Sequence, residues 1–179
     1  MANVQTTINQ LDENKPRWFA VYSAFKKEKF AKKFLDKKGI ETYLPLQKVV
    51  RKYKTKVKKL EIPLINCYLF VRITKKEYVK VLETDYISRF IKIGKDLIAI
   101  PDVEIEIMQR ILGENVAIEI EQNTFYQGDD VVITRGSLMG LTGKLVEFHG
   151  KEKVVVQLNT IGYSIQIEMD KSLLMKAES

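Results

Sequence analysis

The 179-residue chain has a single cysteine, Cys67, and a single histidine, His149. One cysteine cannot close an internal disulfide, and one cysteine with one histidine cannot assemble a common structural zinc site. No apolar run reaches the ~18 residues that a membrane-spanning helix needs. The first fifteen residues carry no apolar core of the secretory-signal kind, so a cytoplasmic protein is expected. No internal repeat relates one half of the chain to the other. Catalytic groupings are also scarce. The stretch 136–144 (GSLMGLTGK) has the wrong glycine spacing for a phosphate loop, and Leu145 stands where Ser or Thr is needed. The pair Asp129–Asp130 has no histidine or third carboxylate within its motif, and no nucleophile–base pair is evident. No enzyme, cofactor or metal is expected.

What the chain does have is a core and a basic stretch. Hydrophobic residues make up 45% and charged residues 30%, the balance of a folded protein. The net charge is +7, and it is unevenly placed. From Lys26 to Lys59 there are 14 basic residues against three acidic ones, interleaved with Phe25, Phe30, Tyr43 and Tyr53. From Phe125 onward six basic residues meet seven acidic ones. A basic, aromatic first half points to a nucleic-acid partner, although a lysine run by itself is often only a solvated face.

Periodicity suggests the elements. Residues 17–22 (RWFAVY) read as a strand, and 26–38 as an amphipathic helix with Phe30, Phe34 and Leu35 inward and Gly39 at its end. Residues 41–46 form a second strand, with Pro45 marking an edge or bulge. Residues 48–60 alternate basic and apolar side chains, as a protruding ribbon would. Residues 67–73 (CYLFVRI) are the most apolar strand and belong at the sheet centre. The capping box Thr74-Lys-Lys-Glu77 starts a helix that runs to about Glu83. Short strands over 89–93 and 97–100 precede a helix over 102–112, with Val103, Ile107 and Ile111 in step.

The predicted organisation is a disordered tail over 1–16, an α+β domain over 17–112 with an antiparallel sheet and flanking helices, and a linker over 113–124. A small five-stranded β-barrel of SH3-like form follows over 125–179, its strands separated by glycine turns. The β-branched residues Val131, Val132, Ile133, Val154, Val155 and Val156 favour strands there. Cys67 is expected to be a buried inert thiol, and His149 a solvated turn residue.

At this point the residues resemble a known family. The block Trp18-Phe19-Ala20-Val21-Tyr22, the Glu28-Lys29 helix, Tyr43-Leu44-Pro45-Leu46 and Pro63-Leu64-Ile65-Asn66-Cys67-Tyr68-Leu69-Phe70-Val71 resemble the N-terminal (NGN) domain of NusG-like transcription elongation and antitermination factors. The block Gly128-Asp129-Asp130-Val131-Val132-Ile133, with Gly136 and Gly140-Leu141-Thr142-Gly143-Lys144-Leu145-Val146-Glu147, is similar to that family's KOW motif. Ile65-Asn66-Cys67 and Gly136-Ser137-Leu138 depart from the family pattern, and the ribbon is unusually basic. These departures make the chain look like a specialised paralogue of the RfaH or UpxY kind, which serves selected operons such as polysaccharide loci.

The resemblance implies that the NGN domain binds the clamp helices of RNA polymerase and suppresses pausing or termination. Its polymerase-facing residues would be Trp18, Tyr22, Ile65, Tyr68 and Phe70, for which plain sheet core is the alternative reading. Lys26, Lys27, Lys29, Arg51, Lys52, Lys54 and Lys56 are candidates for upstream or non-template DNA, with Arg51 and Tyr53 the candidates for contact with a base. Ile161 stands where the family docks ribosomal protein S10 or the termination factor Rho. Two other readings remain. An RNA-binding KOW module of the ribosomal kind would need a basic barrel. A generic DNA-binding protein would need a groove-reading motif such as a helix-turn-helix, and none is found.

Overall fold

Strand β1 (Arg17–Ser23) pairs antiparallel with β5 (Tyr68–Ile73), setting Phe19 opposite Val71, Val21 opposite Leu69 and Tyr22 opposite Tyr68. Alternation then divides the side chains between two faces. Phe19, Val21, Leu69, Val71 and Ile73 enter a core with Ala31 and Leu35 of helix α1 (Glu28–Lys37), Ile40, Val81, Phe90 and Leu97. Each large side chain lost from such a core costs about 3–5 kcal/mol for a Phe→Ala change. With β2 (Glu41–Tyr43) and β6 (Ile87–Phe90) the sheet order is β2-β5-β1-β6, so the most apolar strand is indeed central.

The computed structural model describes residues 9–123, 127–148 and 150–177, without the side chain of Phe148. His149 and the expected start of the second domain at 125 lie outside the described residues. The chain divides into two compact units, Met1–Asp102 and Val103–Ser179. Its fold is mixed α/β, with antiparallel sheets and few helices.

Several local expectations hold in the first unit. The ribbon is a hairpin of β3 (Leu46–Lys52) and β4 (Val57–Pro63), which form a two-stranded sheet of their own. Glu77 accepts hydrogen bonds from the amide and hydroxyl of Thr74, and the predicted helix begins with a 3-10 turn before α2 (Tyr78–Leu82). Other expectations change. Residues 9–15 are not a free tail: Asn9 bridges to Leu97, the Gln10 side chain accepts from the Ala99 amide, and the Lys75 amide donates to the Asp12 carbonyl. Polar residues with no period can still serve as hydrogen-bonding partners for an edge. The strand expected over 97–100 reduces to isolated bridges, after Gly94 (φ +62°) turns the chain.

The second unit comprises helix α3 (Asp102–Gly113) and strands β7 (Ile118–Gln122), β8 (Asp129–Ile133), β9 (Thr142–Phe148), β10 (Lys151–Leu158), β11 (Tyr163–Glu168) and β12 (Leu174–Lys176). Asp102 itself falls in the first unit. The strand order is β12-β8-β9-β10-β11-β7, with six strands rather than five. Among the described residues no pairing joins β12 to β7, so the hydrogen bonds do not close a barrel. Gly128 shows why glycine is needed at the start of β8: a Cβ there would lie 2.1 Å from the Leu145 carbonyl oxygen.

The sixth strand comes from the expected linker. Ile118 and Ile120 alternate with Glu119 and Glu121, and Ile120 sits opposite Ile165 on β11. Two of the acids that looked like linker have partners, Glu119 with Lys153 and Glu121 with Gln166. The ammonium of buried Lys153 donates to Glu119 at 2.7 Å and to Gln166 at 3.2 Å. A buried ammonium needs such a partner, so β10 fixes the edge strand through charge as well as through the ladder.

Candidate interaction surfaces

The five apolar candidates in the first unit separate by burial. Trp18 and Ile65 are buried, and Phe70 is entirely inaccessible. Phe70 stacks on Tyr43 with centroids 6.2 Å apart, and burial pushes the Tyr43 phenol above its usual range. The Ile100 amide donates to the Trp18 carbonyl at 2.8 Å, tying the 93–100 segment to β1. Ile65, at 4% exposure, is turned inward by a bend in which the Tyr68 amide donates to its carbonyl. These three side chains are buried in this structure, as the alternative reading of plain sheet core has them, with Trp18 the most exposed of them at 7%.

Tyr22 and Tyr68 do reach the surface. They are half-buried cross-strand partners whose rings meet edge to face at 5.7 Å, and the Arg89 guanidinium lies 5.4 Å over Tyr22. Beside them is an open depression of about 570 Å³, lined also by Tyr78, Leu82, Phe90 and Lys92. Leu82 and Arg89 carry no motif, so the sequence does not single them out. The pairing of β6 with β1 sets Arg89 opposite Tyr22, and the packing of α2 beside β6 brings Leu82 to the same depression.

The basic candidates occupy two elements, and all of them are exposed. Lys26, Lys27 and Lys29 mark the start of α1, while Arg51, Lys52, Tyr53, Lys54 and Lys56 form the end of the hairpin. The hairpin turns through Lys54 and Thr55, closed by the Tyr53 amide donating to the Lys56 carbonyl at 2.8 Å. Arg51 sits opposite Lys58 across the ladder. Like charges directly opposite one another are destabilising, and among the described residues no carboxylate forms an ion pair with either. An external anion would relieve that repulsion.

The start of α1 carries strain as well as charge. Lys26 (φ +60°), Cys67 (φ +65°) and Tyr86 (φ +68°) are all left-handed without being glycine. Each such residue costs of order 1–3 kcal/mol and persists only where its surroundings impose it. Here the bonds are explicit: the Ala24 amide donates to the Tyr86 carbonyl at 2.9 Å, and the Ser23 amide to the Cys67 carbonyl at 2.8 Å. Cys67 is buried, as expected of an inert thiol. Around this corner Phe25, Phe30 and Tyr86 are exposed, with Lys26 and Lys27 beside their rings. Phe25 stood out in the sequence only as an aromatic among lysines, Phe30 was expected to face inward from the helix and is instead exposed, and Tyr86 did not stand out at all.

In the second unit, Ile161 is half-buried in the turn between β10 and β11, where Gly162 takes φ +80°. The neighbouring Thr160 amide donates to the Glu104 carboxylate of α3 at 2.9 Å. Arg110, two turns further along α3, donates to the carbonyls of Ser137 and Met139. Among the described residues no group of three or more His, Cys, Asp or Glu is placed to hold a metal. No helix among them is long and apolar enough to cross a membrane.

A projecting basic hairpin, a helix start rich in lysine and exposed rings, and an open aromatic depression are features of a protein that binds macromolecules. The chain belongs to the NusG family, described as transcription termination factor NusG, which matches residues 16–109, over half of its length. It is a transcription factor of that kind. Among solved structures it is similar to NusG of Thermotoga maritima, from a study of domain interaction in that protein, at 21% identity and a TM-score of 0.53. That match covers 92% of this chain and 98% of the other. An MjSpt4:Spt5 complex also matches, at 15% identity and a TM-score of 0.29, covering 90% and 99%.

Proposed function

We propose that the chain is a transcription elongation and antitermination factor that binds RNA polymerase through its N-terminal unit and acts at selected operons. It works by binding, without chemistry of its own. The observation that carries this reading is the half-buried Tyr22–Tyr68 pair beside an open aromatic depression, in a chain of the NusG family. The apolar depression receives the polymerase clamp helices, and the hairpin and the start of α1 hold upstream or non-template DNA. Bridging the cleft disfavours the clamp opening that accompanies pausing and termination. That is a population shift, set by the difference in affinity for the two clamp states.

In this reading residues 17–112 act as the NGN domain and the C-terminal sheet acts as the KOW module. Ile161 offers the docking point for ribosomal protein S10 or Rho. The paralogue of RfaH or UpxY kind, serving polysaccharide loci, is favoured by the basic hairpin. An RNA-binding role for the second unit is disfavoured by its charge, since six basic residues there face seven acidic ones from 125 onward.

The test is capture of purified core RNA polymerase by the full chain and by Tyr68→Ala. The wild type is expected to retain polymerase, and the variant, equally folded by circular dichroism, to lose it. Retention of nucleic acid with no polymerase at any salt concentration would sink the proposal.

A further inference from the structure

Glu41, Arg72 and Trp18 stand directly opposite one another on β2, β5 and β1, and Ile100 bridges to Trp18, which makes one row across the sheet. Beside this row is a depression of about 270 Å³ that shares no lining residue with the one at Tyr22 and Tyr68. Its lining joins three cations, Lys15, Arg17 and Arg72, to Trp18, Ile100 and Pro101, and Asp102 is the only carboxylate in it. The donors of both guanidiniums are largely unspent. The Arg72 Nε–H is buried without a hydrogen-bond partner, and the terminal nitrogen of its ion pair lies 3.5 Å from a Glu41 carboxylate whose side chain is 58% exposed. Arg17 is 3.9 Å from the Asp12 carboxylate and donates only to the Gln10 carbonyl, at 3.5 Å. Among the described residues Lys15 has no ion pair. A guanidinium carries five donors, and leaving them unmade while half withdrawn from water has a cost that an oxyanion relieves.

We propose that this depression binds a small phosphate monoester, with Arg17, Arg72 and Lys15 on the phosphate and Ile100 and Pro101 against the organic part. A terminal phosphate offers three oxygens and close to two negative charges, which suits two forked guanidiniums and an ammonium better than a single carboxylate does. A volume of about 270 Å³ is small for a ligand pocket, so the organic part is compact. Asp102 repels a second acidic group and thereby disfavours polyanions. A phosphodiester in a nucleic-acid backbone brings a single charge and only two free oxygens, so it is the poorer fit. The proposal goes beyond the polymerase reading, since neither the Tyr22–Tyr68 depression nor the hairpin takes part in it.

Trp18 is the only tryptophan of the chain, so its fluorescence reports on this depression alone. The full chain would be titrated with glycerol phosphate and with inorganic phosphate, at an ionic strength held constant with chloride. A saturable change in Trp18 emission is expected at about 1 mM glycerol phosphate or below, with NMR amide shifts at 15–18, 72 and 99–102. Arg72→Gln should weaken binding about ten-fold or more. Arg72→Lys keeps the charge and loses the fork, and Lys15→Gln alters an exposed side chain that the fold does not need; each should weaken binding about three-fold or more. No saturation up to about 10 mM, or wild-type affinity in both Arg72→Lys and Lys15→Gln, would overturn the proposal. Equal affinity for the two probes would assign the site to free phosphate and overturn the ester. An oligonucleotide that gives the same change at equal phosphate concentration would assign it to nucleic acid and overturn it as well. Polymerase capture by the same variants is expected to match the wild type, so this proposal and the polymerase reading fail separately.

Discussion

The Cys67 amide donates a hydrogen bond of 2.9 Å to the buried carboxylate of Glu28, the first residue of α1 and 39 positions away. The bond joins the helix start to a left-handed cysteine that precedes β5. One side chain thus sets both the loop leading to Tyr68 and the entry of the lysine helix.

Removing that carboxylate leaves a buried amide unsatisfied. Glu28→Ala should therefore lower stability by about 1–3 kcal/mol in urea unfolding. Because φ is positive at 67, Cys67→Gly should be more stable than Cys67→Ala by about 1 kcal/mol, although both remove the thiol. Equal stability of the two would mean that position 67 bears no strain.

The hairpin end should act through charge alone. Lys52→Glu/Lys54→Glu should leave the urea midpoint unchanged, because both side chains are exposed. Its DNA affinity should fall, and the slope of log K against log salt should become shallower by about 1–2 if both lysines touch phosphate. An unchanged slope would remove both from the interface.

Strand β7 depends on the Lys153–Glu119 pair. Glu119→Ala should cost about 1–2 kcal/mol, less than for a fully enclosed pair, because the Glu119 side chain is 68% exposed. Hydrogen exchange of the 118–122 amides should accelerate before that of β10. Uniform acceleration across the sheet would mean that β7 has no separate opening.

Gly128→Ala tests the close approach of β8 to β9. With a Cβ 2.1 Å from the Leu145 carbonyl oxygen, the backbone must shift, and a loss of about 1–3 kcal/mol or more is expected in thermal unfolding. A wild-type melting temperature would contradict that geometry.

Acid should loosen the 9–15 segment. Asp12 accepts the amides of Lys15 and Asn14, and these bonds hold its carboxyl below the usual range. A depressed folded-state pKa contributes stability that is complete above the ordinary value, near 3.9, and is lost as pH falls through the lower one. Protection of the Asn14 and Lys15 amides, measured against their intrinsic exchange rates, should therefore fall only below about pH 4. In Asp12→Asn that pH dependence should disappear.

Much of the local structure was written in short-range pattern. The apolar, aromatic and β-branched runs RWFAVY and YLFVRI made strands, and alternate residues of each meet the same core. Thr74 and Glu77 are three residues apart and cap their own turn. The density of lysine from 48 to 59 marked a ribbon too charged to bury. The sequence by itself determined these because each depends on neighbours within a few residues. The tertiary structure decided whatever depends on distant ones. It took Ile65 inward and left Tyr68 accessible, although they lie three residues apart in one motif. It turned an acid-rich linker into β7, because Lys153 supplied the countercharge from 34 positions away. It set Tyr86 beside Phe30 and Lys27, where exposed rings meet unpaired ammonium groups. The physical reason is the same throughout: burial and charge pairing are set by whichever surfaces the fold brings together, and no local pattern records them.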